Sequence, residues 1–120
     1  MANRVGHIEL TTSDLNKAKS FYTELFGWQF QDHPMPDGKG VYALHSTQDG
    51  AAAGMMASPP GAPTAWTPFI NVDDVAAATK KAKDLGGNVI RDVVPVPGYG
   101  EMSIVADPTG AVFGLWESKS

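Results

Sequence analysis

Asp14-Leu15-Asn16-Lys17-Ala18-Lys19-Ser20-Phe21-Tyr22-Thr23-Glu24-Leu25-Phe26-Gly27 opens on a capping residue, sets apolar side chains at Leu15, Ala18, Tyr22 and Leu25, and stops at a glycine. That is the plan of a capped amphipathic helix. The plan returns sixty residues later as Asp74-Val75-Ala76-Ala77-Ala78-Thr79-Lys80-Lys81-Ala82-Lys83-Asp84-Leu85-Gly86-Gly87. At this one offset Gly27, Gly38, Gly40, Gly50 and Gly54 fall on Gly87, Gly98, Gly100, Gly110 and Gly114. Random placement of the 13 glycines gives about one such coincidence, so the chain reads as an internal duplication of a single supersecondary unit. Asp14 on Asp74, Leu15 on Val75, Ala18 on Ala78, Leu25 on Leu85 and Phe30 on Ile90 agree with it.

Working outward from the two helices, residues 4–12 and 66–72 alternate and carry β-branched or aromatic side chains, which predicts a half-buried strand ahead of each helix. Three short strand candidates follow each helix. They lie at 28–32, 41–46 and 51–57, then at 88–93, 101–106 and 111–117. Proline- and glycine-rich stretches at 34–40 and 95–100, and turns at Asp49-Gly50 and Asp107-Pro108-Thr109-Gly110, separate them. The expected class is α+β, as βαβββ twice within a single domain: unit one over 4–57, a linker at 58–64 whose three prolines and glycine exclude regular structure, and unit two over 65–118.

Composition narrows the function classes. A chain of 120 residues has room for one domain. With 13 acidic and 9 basic residues, a formal charge of -4 and no basic run, it offers nothing to a nucleic acid or an anionic membrane. Cysteine is absent from the sequence, which removes disulfides, thiolate metal sites and thiol nucleophiles, so a metal would need His, Asp or Glu. The N-terminus lacks the apolar core of a signal peptide and the longest small or apolar run, 51–57, is too short to span a bilayer. The expected location is cytoplasmic.

Several pieces together resemble the vicinal oxygen chelate superfamily, which includes glyoxalase I, bleomycin-resistance proteins and extradiol dioxygenases. They are His7-Ile8-Glu9-Leu10, Asp14-Leu15 with Ala18 and Phe21-Tyr22, Leu25-Phe26-Gly27-Trp28, Leu85-Gly86-Gly87, Pro97-Gly98-Tyr99-Gly100, and Asp107-Pro108-Thr109-Gly110 followed by Phe113 and Leu115. The resemblance implies that the two βαβββ units form curved mixed sheets around a shared cleft, with the helices outside. It also implies that units of this size pair as a homodimer.

Strand parity, applied within that resemblance, selects the cleft-facing residues. If Ile8 and Leu10 pack under the helix, His7, Glu9 and Thr11 face the cleft, and Thr67, Phe69 and Asn71 face it from the second unit. On the last strands the even positions face inward: Ala52, Gly54 and Met56, then Val112, Gly114 and Trp116. Metal-dependent members of the superfamily place ligands at positions that correspond here to His7, Gly54, Thr67 and Gly114. Glycine offers no ligand and threonine is a poor one for a transition metal, so the usual metal is not expected. Glu117, three residues past Gly114, points to the other face. His7 and Glu9, two residues apart on one face, would still hold a weakly bound divalent ion with water.

The resemblance leaves two functional readings. One is a metal-independent binder whose cleft takes a small hydrophobic or aromatic molecule against Met56, Thr67, Phe69, Asn71, Tyr99 and Trp116, with empty space over Gly54 and Gly114. Tyr99, flanked by glycines, would close over it. The other is an enzyme, a lyase, isomerase or dioxygenase-type catalyst that uses a divalent metal or His7 and Glu9 as an acid-base pair suited to shuttle a proton. His7 and Glu9 also have plain structural readings, as a packed strand histidine and a carboxylate serving backbone donors.

Overall fold

The computed structural model describes residues 3–35, 38, 40–46 and 52–119. The elements run β1 (Arg4–Thr12), α1 (Leu15–Phe26), β2 (Gln31–Pro34), β3 (Val41–Ser46), β4 (Ala52–Ala57), β5 (Ala65–Asn71), α2 (Val75–Asp84), β6 (Asn88–Val96), β7 (Gly100–Ala106) and β8 (Val112–Ser118). This is βαβββ written twice, an α+β fold. Contacts group the chain into His7–Trp66 and a second unit made of residues 67–119 together with 3–6. The expected turn at Asp49-Gly50, and Ala51 at the head of β4, lie outside the described residues.

Each unit has the same strand order. In the first it is β1-β4-β3-β2 and in the second β5-β8-β7-β6. The first and last strands of each unit are parallel, β1 with β4 and β5 with β8, and the remaining pairs are antiparallel. Parallel neighbours need a crossover, and the helix provides it.

Both helices begin where the aspartates stand. Asp14 accepts a hydrogen bond from Lys17 N at 3.0 Å, and Asp74 accepts one from Ala77 N at 3.0 Å. The first helix ends on Gly27, at φ 73°, in the left-handed region that only glycine enters without cost. α2 has a second anion at its start, because Glu117 Oε1 accepts from Val75 N at 2.9 Å. Glu117 therefore lies on the helix side of β8, as strand parity requires. We expect Asp14→Ala to cost about 1 kcal/mol and Asp74→Ala less, since Glu117 remains at the second helix. Urea denaturation of the two variants measures the difference.

The helix side of each sheet is the core. Leu10, Ala43 and Met55 are buried there in the first unit, with Leu15, Ala18, Tyr22, Phe30 and Trp66 against them. Val75, Val105 and Leu115 are buried in the second, packed by Ile70, Val72, Ala78, Ala82 and Val89. The buried Thr79 hydroxyl donates to Val75 O at 2.6 Å and meets Ser103 Oγ at 2.8 Å, so these core hydroxyls are satisfied.

Four sequence expectations shift. Leu25, in the last turn of α1, and Leu85, the residue capping α2, are exposed, so the apolar face ends before the helix does. Ile8, expected under the helix with Leu10, is also exposed. The second strand starts at Gln31 instead of residue 28, because Trp28 leaves the sheet to stack on His45 at 4.6 Å and 12° and on Tyr22 at 5.9 Å. β6 runs on to Val96, irregular near Arg91, and tolerates Pro95 because it is an edge strand. Among the described residues no helix is long and apolar enough to cross a membrane.

Candidate functional site

In the His7–Trp66 unit the register sets the site. Glu9 stands opposite Gly54 on β4, and Gly54 stands opposite Leu44 on β3. Leu10, Ala43 and Met55 occupy the helix side. Alternation therefore puts His7, Glu9, Tyr42, Leu44, Gly54 and Met56 together on the opposite face.

Tyr42 organises that face. Its hydroxyl donates to Glu9 Oε1 at 3.0 Å. To arrive there the phenol passes over Gly54: a Cβ at that position would overlap the Tyr42 hydroxyl and its ring. Burial, followed by the charge of Glu9 and the hydrogen bond to it, pushes the phenol well above its ordinary range. Tyr42 thus keeps its proton and donates it in the hydrogen bond to Glu9. His7 Nε2 lies 3.8 Å from the same Glu9 oxygen, and the two side chains are 19% and 13% exposed. A carboxylate so enclosed, beside a fixed donor and an imidazole, is equipped to hold a polar group or to move a proton.

The second unit places different side chains at the same positions. Sixty residues on from His7, Glu9, Tyr42, Gly54 and Met56 stand Thr67, Phe69, Met102, Gly114 and Trp116. Phe69 is opposite Gly114, and Asn71 is opposite Trp116, which is also paired with Met102. Phe69 is 1% exposed, and a Cβ at Gly114 would overlap its ring. Where one copy of the duplicated face carries the Glu9 carboxylate, the other carries the Phe69 ring.

The expectation of empty space over Gly54 and Gly114 is therefore corrected. Each glycine makes room for an aromatic ring that fills it, Tyr42 in one unit and Phe69 in the other. The structure brings His7 and Glu9 together, with Met56 half-buried on the same face. Thr67, Asn71 and Trp116 are half-buried on the second unit's corresponding face. The amide of Asn71 packs where a side chain at Gly6 would stand, and its Oδ1 is buried without a hydrogen-bond partner among the described residues. Tyr99 is 54% exposed in the turn between β6 and β7, which is tied back by Lys119 N donating to Tyr99 O at 2.9 Å. Trp28 and Trp66 belong to the first unit's aromatic cluster, where the Trp66 indole donates to Tyr22 at 3.0 Å. His45 stacks on Trp28 and its Nδ1 lies 3.1 Å from Gln29 O.

Tyr42 is the site residue that sequence reasoning missed. Its signal was a tyrosine two residues before Leu44, the residue opposite Gly54, which makes its ring a diagonal cross-strand neighbour of that glycine.

The sequence profile of the Glyoxalase/Bleomycin resistance protein/Dioxygenase superfamily matches residues 4–115. The chain belongs to this superfamily. Among glyoxalase-superfamily relatives it is similar to CFP32 of Mycobacterium tuberculosis, named as a glyoxylase, with 42% identity over 115 residues, 92% of this chain and 44% of that protein. It is 33% identical to the anthracycline biosynthesis protein DnrV of Streptomyces peucetius, over 90% of this chain and 44% of that one. The chain thus spans less than half the length of these curated relatives. Solved structures share the fold: BH1468 of Bacillus halodurans C-125 has a TM-score of 0.77 at 14% identity, covering 100% of this chain and 97% of that one. Streptomyces coelicolor methylmalonyl-CoA epimerase has a TM-score of 0.71 at 17% identity, covering all of both chains.

The positions that the resemblance gives as the superfamily's metal ligands are His7, Gly54, Thr67 and Gly114. Of the four corresponding positions only His7 carries a ligand; Thr67 is a poor one, and aromatic rings take the room that side chains at Gly54 and Gly114 would need. Among the described residues no three His, Cys, Asp or Glu side chains group to hold a metal ion.

Proposed function

We propose that this superfamily member binds a small hydrophobic or aromatic molecule, without the superfamily's usual metal, on the sheet face that carries His7, Glu9, Tyr42 and Met56. The observation that supports it is the position of Tyr42: its phenol occupies the room over Gly54 and is held by Glu9, which makes a preformed polar point on a face otherwise lined by Leu44 and Met56. Similarity to proteins named for anthracycline biosynthesis is in keeping with an aromatic ligand. In this proposal the protein works in the cytoplasm as a homodimer. A second reading, a metal-free acid-base enzyme, is favoured by one observation, the 3.8 Å approach of His7 Nε2 to Glu9.

The test is elemental analysis of protein purified without a metal-affinity step. No stoichiometric zinc, nickel, iron or manganese is expected. The melting temperature should be unchanged in chelator, because a metal that does not bind the native state cannot stabilise it. One tightly held metal per chain would overturn the proposal. Light scattering at tens of micromolar should give twice the 12.7 kDa of a single chain; a species of that mass alone counts against the dimer.

A further inference from the structure

We propose that Glu9 and Tyr42 form a subsite for a cationic head group, a protonated amine carried on an apolar body. This rests on the small-molecule reading above and names the ligand class. The geometry carries it. Tyr42 supplies Glu9 with a hydrogen bond at 3.0 Å but with no charge, and the carboxylate, 13% exposed, is only partly solvated. Both described contacts of Glu9, from Tyr42 and from His7, go to Oε1. The described lysine ion pairs are made with Asp32, Glu101 and Glu117.

An ammonium group complements this arrangement. It brings the missing charge, one N–H for Glu9 Oε2 and another for the Tyr42 oxygen, whose O–H is directed at Glu9 Oε1 and which retains acceptor capacity. Leu44, opposite Gly54 in the register, and Met56 give apolar contact for the remainder of the molecule. A carboxylate or phosphate in the same place would meet Glu9 with like charge in a poorly solvated spot, and the chain's net charge of -4 acts in the same direction. His7 Nε2, 3.8 Å from Glu9 Oε1, is the imidazole beside which the ammonium group would sit.

Calorimetric titration with three probes of one shape tests this: benzylammonium, benzyl alcohol and benzoate. Benzylammonium should bind about tenfold more tightly than benzyl alcohol, the size of effect expected for a hydrogen bond to a buried charge, and benzoate should not bind. Glu9→Gln should abolish the preference for benzylammonium over benzyl alcohol, and Tyr42→Phe should reduce it. In the unmodified protein, NMR signals of the Tyr42 ring should move with benzylammonium and stay still with benzoate, which tests the site independently of any variant's folding. Benzoate binding as well as benzylammonium, or a cation preference that survives Glu9→Gln, overturns the subsite while the alcohol keeps the small-molecule reading. Failure of all three probes to bind removes both.

Discussion

Phe69→Ala should lower the stability of the chain by about 3–5 kcal/mol, the range for deleting a buried phenylalanine from a core that closes only partly around the gap. Phe69 is 1% exposed and stands opposite Gly114, whose missing side chain is the room its ring occupies. The converse change, Gly114→Ala, pushes a methyl group into that ring and should cost about 1–3 kcal/mol through overpacking. Combined, the two should cost less than their sum, because the new methyl enters the cavity left by the lost ring. For a domain whose whole stability is about 5–15 kcal/mol these are large losses, and urea midpoints of the four proteins resolve them. Strict additivity would show that ring and glycine do not share one space.

Above pH 10 the protein should weaken faster than its Tyr42→Phe variant. The phenol's ordinary value is 10.0, and burial together with Glu9 holds it well above that in the native state. As pH rises past 10 the unfolded chain releases this proton and the native chain keeps it, so the unfolded state binds fewer protons. Stability from this group is therefore complete below pH 10 and falls above it, at about 1.4 kcal/mol per pH unit. Urea denaturation at pH 9, 10 and 11 measures the slope, and the difference between wild type and Tyr42→Phe isolates one phenol. Gly54→Ala should have a related effect. Its methyl group displaces the end of the Tyr42 side chain, breaks a hydrogen bond to a charged group worth about 1.5–3 kcal/mol, and returns the phenol to an ordinary titration visible in tyrosinate absorbance. Identical alkaline slopes for wild type and Tyr42→Phe would show that the phenol is not held by Glu9.

The parts of this fold legible in sequence are the ones decided within a few residues. Asp14 and Asp74 cap because their side chains reach the amides three positions on, and Gly27 ends its helix because of its own backbone angle. The duplication made every such feature visible twice. Strand parity put His7 and Glu9 on one face and Glu117 on the other, as found. The start of β2 was not legible, since Trp28 leaves the strand for the ring of His45, a partner distant in sequence. Tyr42 was missed for the same physical reason: nothing near it in the chain marks it, and its role exists only once β3, β4 and β1 are aligned. Gly54 and Gly114 were seen, but as vacancies. In a close-packed interior an absent side chain is more often room claimed by a neighbour, and here both neighbours are aromatic.

The grouping of residues 3–6 with 67–119 makes His7–Trp66 an insertion in the middle of the other unit. Asn3 N donates to Asn71 O, and Gly6 lies against the Asn71 amide, so the insertion is closed off at its base. A force applied by pulling the two ends of the chain apart meets that closure first. The contour length stored in His7–Trp66 is paid out only after the Asn71 contacts give way, so in an optical trap the extension should come in two steps, with the inserted aromatic cluster shielded from load until the second.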